Sequence, residues 1–113
     1  MERQKVSTGT KWEQENGYSR AVRAGHLVFV SGTLAADEDG NIIDPDSPYK
    51  QTLYALEKAE RALKELGASR EHVVRTRLYV TSMNVAREVG RAHAEFFHEV
   101  MPCCTLLGVA SLA

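Results

Sequence analysis

The sequence predicts an α+β fold, a mixed sheet with two helices on one face. Three observations carry that prediction. Leu27-Val28-Phe29-Val30 is an unbroken apolar run of strand length that leaves the core at Ser31-Gly32-Thr33. Two stretches, Ser47 to Gly67 and Asn84 to Val100, repeat their apolar residues at spacings of three and four, the period of a half-buried helix. The elements follow in the order strand, hairpin, helix, strand, helix, strand with short connections and neither linker nor repeat, so residues 1–113 read as one domain.

Taken in order, Lys5 to Thr8 is a short extended segment suited to a sheet edge. Arg20 to Arg23, Gly25 and His26 to Gly32 read as a hairpin. An uninterrupted apolar run such as Leu27 to Val30 suits a strand covered on both faces. The Ser31-Gly32 step at its end suits close approach by a ligand or a neighbouring subunit. Asp37-Glu38-Asp39-Gly40-Asn41 is a solvated turn with Asp-Gly punctuation rather than a calcium loop, because no glutamate follows at the ligand spacing.

Ser47 and Pro48 open the first long helix as N-cap and first helical residue. Leu53, Leu56, Ala59, Leu63 and Leu66 form its apolar stripe, Glu57 and Arg61 are placed to pair on its wet side, and Gly67 stops it. Val73 to Thr81 reads as a strand with Val74, Thr76, Leu78 and Val80 on one face and Arg75, Arg77 and Tyr79 on the other. Asn84 is the expected cap of the next helix, whose stripe runs Val85, Val89, Ala92 or His93, Phe96 and Val100. Gly90 inside it costs up to ~1 kcal/mol relative to Ala, which points to close packing or a ligand against the backbone. Pro102 ends that helix, and Thr105 to Leu112 is the last strand.

Composition narrows the function classes. With 113 residues the chain buries roughly two-thirds of its unfolded surface, enough for a core. Fourteen basic residues against fifteen acidic give a net charge of −1, which argues against a dedicated nucleic-acid binder. No apolar run approaches the ~20 residues of a membrane span, so no membrane partner is expected. MERQKVSTGTKWEQ lacks the apolar centre of a signal peptide, and Cys103 and Cys104 are adjacent, which disfavours a disulfide between them. A reducing, cytoplasmic setting is the expectation. No cofactor or metal pattern is present, and His93 and His98 stand five apart on different sectors of their helix. Cys104 reads as a small buried residue at a strand start. As a nucleophile it stands past a helix C-terminus, the unfavourable end of the dipole.

Several blocks together resemble the RidA/YjgF family: Gly17-Tyr18-Ser19-Arg20-Ala21-Val22, then AGHLVFVSGT, then VVRTRLYVT, then Ala94-Glu95-Phe96-Phe97 and Pro102. The resemblance covers the chain from about Lys5 onward. It implies a chorismate-mutase-like homotrimer with three small-molecule clefts between subunits. The best-known members of the family hydrolyse reactive enamines and imines to 2-keto acids and ammonia, and others are named for ribonuclease or translation-inhibitor activity.

By that resemblance Tyr18, Ser31, Gly32, Gly90, Cys104 and Thr105 line the cleft. In the deaminase members an arginine stands two residues after the proline and clamps a carboxylate; here Cys104 occupies its place. Their helix asparagine corresponds to Gly90, and their glutamate lies on a further strand that this chain ends before. Trp12-Glu13 and Val89-Gly90-Arg91-Ala92-His93 resemble the arginine-lacking branches of the superfamily. Three functions remain compatible with these residues. One is a small-molecule protein of the imine/enamine deaminase lineage with weakened or lost deaminase activity. The others are an endoribonuclease or translation-inhibitor module and a non-catalytic binding or scaffold trimer.

Overall fold

The structure, a computed structural model, describes residues 2–113. Three strands form one antiparallel ladder: β1 (Arg3–Val6), β2 (Ala21–Ala24) and β3 (Leu27–Val30), in the order β1-β2-β3. Two further strands, β4 (Arg75–Val80) and β5 (Cys103–Gly108), pair in parallel. The strand directions are thus mixed, as expected, but the backbone hydrogen bonds divide into these two ladders and do not join β3 to β4. Two long helices, α2 (Pro48–Glu65) and α3 (Ala86–Phe96), pack against each other and cover the sheet.

β1 begins two residues before the expected segment, at Arg3, because its register is set by β2: Arg3 pairs with Ala24 and Val6 with Ala21. The hairpin is tight. Ala24 pairs with Leu27, so Gly25-His26 makes the turn, and Gly25 supplies the positive φ of 63° that such a turn requires. Between β1 and β2 lies a short helix not apparent in the sequence pattern, α1 (Lys11–Asn16), closed by Gly17 in the left-handed region. Its organising residue is Glu13, which is buried and accepts from the hydroxyls of Ser7, Thr8 and Thr10 and from the Thr8 amide. Burial raises the Glu13 carboxyl, but those donors outweigh it and hold the group below its usual range.

Asp37 builds the acidic turn as expected, its carboxylate accepting from the amides of Asp39 and Asn41. Ser47 caps α2 by accepting from the Lys50 amide, with Pro48 at the first position. Gly67, at φ 83°, ends it: the Gly67 and Ala68 amides donate to Lys64 and Leu63 carbonyls. Leu63 and Leu66 are buried, and Ala62 and Leu66 join Val6, Ala21 and Val28 in the cluster that fastens α2 to the first ladder.

The Glu57–Arg61 pair does not form. The ion pairs found among the described residues are Arg70–Glu60 and Arg91–Glu95. Glu60 turns inward instead and takes Arg70 as a bidentate partner, at 2.9 Å from Nε and 2.7 Å from an Nη. Lys58 is also buried, its ammonium donating to the Ala36 carbonyl.

Several boundaries shift in the C-terminal half. Ser82, not Asn84, provides the cap: its hydroxyl accepts from the Asn84 amide at the start of the 3-10 turn Met83–Val85 that leads into α3. α3 ends at Phe96 rather than at Pro102, since the amides of Val100 and Met101 fold back onto the Phe97 carbonyl. Val100 therefore lies outside the helix, while Phe97 is buried beside Phe96. β5 begins at Cys103, directly after Pro102, and its bonded register ends at Gly108, short of the Leu112 expected. β4 starts at Arg75, leaving Val74 outside the strand and 79% exposed.

Candidate functional site

Three of the sequence-predicted site residues are brought together at the start of β2 and the end of β3. Ser31 is tied in twice: its amide donates to the Arg20 carbonyl and its hydroxyl donates to the Ser19 carbonyl at 2.7 Å. The organiser is Arg20, which the sequence reading placed only in a strand. It is buried, donates from one Nη to the Gly32 carbonyl at 2.8 Å, and lays its guanidinium 5.6 Å from the centre of the Tyr18 ring. Tyr18 and Gly32 themselves stay exposed, so this group presents a phenol, a bare backbone and the edge of a buried cation to the surface.

A second group forms on the other ladder. Register pairs Thr76 with Cys104 and Arg77 with Thr105. Paired residues of a parallel ladder leave the same face, and neighbours along one strand leave opposite faces. Thr76, Leu78 and Val80 turn toward the helices, which places Cys104 on that side. Thr105 leaves the opposite face with Arg77, and Cys103 does so with Arg75, so Thr105 and Cys104 do not share a site through their side chains.

Above Thr76 stands His93 of α3, its Nε2 at 2.7 Å from the Thr76 hydroxyl. Burial holds the His93 imidazole below its usual range, and the ring packs on Phe97 at 4.8 Å. Gly90 lies three residues earlier on the same face of α3. A Cβ built on Gly90 meets no heavy atom within 4 Å, so close packing inside the protomer does not account for it.

Cys104 corrects two expectations. It is exposed rather than buried, and both cysteines are free thiols. It stands within a strand, well past the end of α3 at Phe96, so the helix dipole has no bearing on it. His93, read from the sequence as an alternative to Ala92 on an apolar stripe, is the residue that the sequence reading missed. The signal available was its spacing of three from Gly90.

A groove of about 680 Å³ lies elsewhere, between the end of β1, the acidic turn and α2. Part of its polar lining is already engaged: Ser7 and Thr8 with Glu13, Asp37 within its own turn, Lys58 with Ala36.

The outer face of β3 is bare in this single chain, with Leu27 63% and Phe29 60% exposed. The apolar run therefore packs Val28 against the core and leaves Leu27 and Phe29 on an exposed apolar face.

Comparison with known proteins agrees with the architecture. The family model described as Endoribonuclease L-PSP matches residues 8–113. An uncharacterized protein of Streptomyces coelicolor is 41% identical over 105 residues, covering 93% of this chain and 78% of that protein. A RutC family protein of Pyrococcus abyssi is 31% identical over 96 residues, covering 84% of this chain and 75% of that protein. The crystal structure of a Mycobacterium tuberculosis member of the YjgF/YER057c/UK114 family superposes with a TM-score of 0.86 at 41% identity, over 98% of this chain and 87% of that one. On the match along residues 8–113 and the shared fold, the chain belongs to the RidA/YjgF family, the family of the endoribonuclease L-PSP model.

Proposed function

We propose that the chain is a small-molecule protein of the imine/enamine deaminase lineage, assembled as a homotrimer with ligand clefts at its subunit boundaries and with little or no 2-imino acid deaminase activity. The reading is carried by the faces of β4 and β5: Cys104, which by the resemblance stands in for the carboxylate-binding arginine of the deaminase members, leaves the helix-facing side, and the strand arginines Arg75 and Arg77 leave the opposite face. A thiol makes no bidentate, charge-assisted contact with a carboxylate. The cleft then favours small, weakly charged carbonyl or amide compounds, because the cation beside Tyr18, Arg20, is buried and already donates to the Gly32 carbonyl. Gly90 supports the reading, since its backbone is bare on the side where a ligand or a neighbouring subunit would approach.

The uncovered face of β3 supplies the driving force for assembly. Burying a side chain such as Phe29 or Leu27 contributes about 1.5–3 kcal/mol each. Light scattering at micromolar concentration is expected to return about three chain masses, and Phe29→Asp is expected to shift that mass toward one. A stable wild-type monomer, or a solved assembly with Cys104 more than about 10 Å from Tyr18 of every subunit and so outside contact range, overturns the cleft.

A further inference from the structure

We infer that His93, held in place by Thr76, is the acid–base residue of the cleft and that the imines hydrolysed there are small ones that carry no carboxylate. The inference deepens the cleft reading above, on which it rests for the space that admits a ligand. His93 and Thr76 themselves belong to one protomer.

One ring nitrogen is fixed and the other is open. His93 Nε2 lies 2.7 Å from the Thr76 hydroxyl, and the ring packs on Phe97 with centroids 4.8 Å apart, which sets its plane. Nδ1 has no hydrogen-bond partner among the described residues, yet it is not sealed. Among those residues the buried side-chain nitrogen or oxygen left without a partner is Arg20 Nε alone. Nδ1 therefore meets solvent, and a water or ligand can reach it. With Nε2 protonated and donating to Thr76, Nδ1 presents its lone pair outward. Burial, with no neighbouring charge contributing, holds the imidazole below its ordinary 6.5, so it stands in the basic form near pH 7. Gly90, one turn earlier on the same face of α3, leaves bare backbone beside the ring, since a Cβ there meets no heavy atom within 4 Å. Arg75 and Arg77 leave the other face of β4, so neither brings a cation to His93 for a substrate carboxylate.

The reaction balances with water alone. The water oxygen bonds to the imine carbon, the C=N π pair moves to nitrogen, and Nδ1 takes one water proton and passes it to that nitrogen. In the resulting carbinolamine, Nδ1 draws the hydroxyl proton as the C=O bond forms and the C–N bond breaks. The same proton then goes to the departing amine. Thr76 Oγ1 accepts from Nε2 throughout, which steadies the imidazolium each time it forms. Nothing is oxidised or reduced.

The probe is N-benzylidenemethylamine, a small imine without a carboxylate, and benzaldehyde formation is followed by its absorbance. The unaltered chain is expected to accelerate hydrolysis by about a hundredfold over buffer, the lower end of what a positioned base supplies. His93→Gln is expected to remove that gain with little change in KM. Thr76→Val is expected to cost about tenfold, and Thr76→Ser, which keeps the hydroxyl, to restore the rate. In the unaltered chain kcat is expected to fall with decreasing pH through a midpoint below 6.5, as His93 gains its proton and ceases to be a base. No acceleration by the unaltered chain overturns the proposal, as does acceleration that survives His93→Gln in protein of unaltered circular dichroism. The pH profile needs no variant, so a kcat flat from pH 7 down to pH 4 overturns it even where the variants fail to fold. A monomer by light scattering that still accelerates hydrolysis removes the subunit cleft and keeps the role of His93. A trimer without acceleration removes that role and keeps the cleft.

Discussion

Ammonia release from enzymatically generated 2-iminopropanoate is expected to stay close to the uncatalysed rate for this chain and to rise in Cys104→Arg. The missing contact is the pair of parallel N–H···O bonds that an arginine makes with a carboxylate. Such a charge-assisted pair contributes on the order of 2–4 kcal/mol, which sets a ceiling of roughly 30- to 1000-fold on the recovery. The nearest alternatives are poorly placed: Arg75 and Arg77 leave β4 on the face away from Cys104. Robust hydrolysis by the unaltered chain, with no gain from Cys104→Arg, would show that another residue binds the carboxylate and would sink the proposed loss of activity.

The second large effect is structural. Glu60→Ala is expected to lower stability by about 2–3 kcal/mol and Tm by roughly 10 °C, measured by calorimetry at matched protein concentration. Glu60 accepts from Nε and one Nη of the Arg70 guanidinium and from the backbone amide of Arg70, while the other Nη of Arg70 donates to the Phe96 carbonyl and the guanidinium stacks 3.7 Å over the Phe96 ring. Removing the carboxylate therefore loosens the joint among α2, the segment after it and the end of α3. The cost falls below the figure for a fully buried pair because Arg70 keeps 35% of its side chain in water.

The same contact makes a pH dependence. Hydrogen bonding from Arg70 lowers the Glu60 carboxyl from its ordinary 4.5 in the folded chain. The unfolded chain therefore binds that proton more readily, so the stabilisation is complete above about pH 4.5 and is lost as the pH falls through the folded value. In Glu60→Gln that acid loss is expected to shrink. An unchanged acid midpoint would assign the sensitivity elsewhere, with Glu13 the next candidate because its carboxyl is also lowered in the fold.

Elements with a strong periodic signal were legible in the sequence. The hairpin followed from Gly25 between two apolar strands, and α2 from Ser47-Pro48 at one end and Gly67 at the other. The faces of β4 followed from simple alternation. Local chemistry dictates each of these, since capping, positive φ and period-two burial are settled within a few residues. α1 was not legible because six residues carry too little period, and because its stabilising partner Glu13 draws on β1-side hydroxyls rather than on helix neighbours. The end of α3 was missed for a related reason: the turn closed by the Phe97 carbonyl stops the helix before the proline does.

At the candidate site, the sequence by itself determined the chemical inventory: Tyr18, Ser31 and Gly32 as candidate residues, and a pair of thiols, Cys103 and Cys104, directly after Pro102. It also determined that β3 is apolar on both faces, and the structure leaves Leu27 and Phe29 exposed outside the helix layer. Only the tertiary structure decided which of these groups meet. Arg20 gathers Tyr18 and Gly32 by reaching across the hairpin, and strand register sends Thr105 away from Cys104 while setting Thr76 beside it. His93 joins them from α3 across seventeen residues of sequence. Composition and periodicity fix what a segment buries, whereas partners on different elements depend on register and helix placement, which long-range packing alone selects.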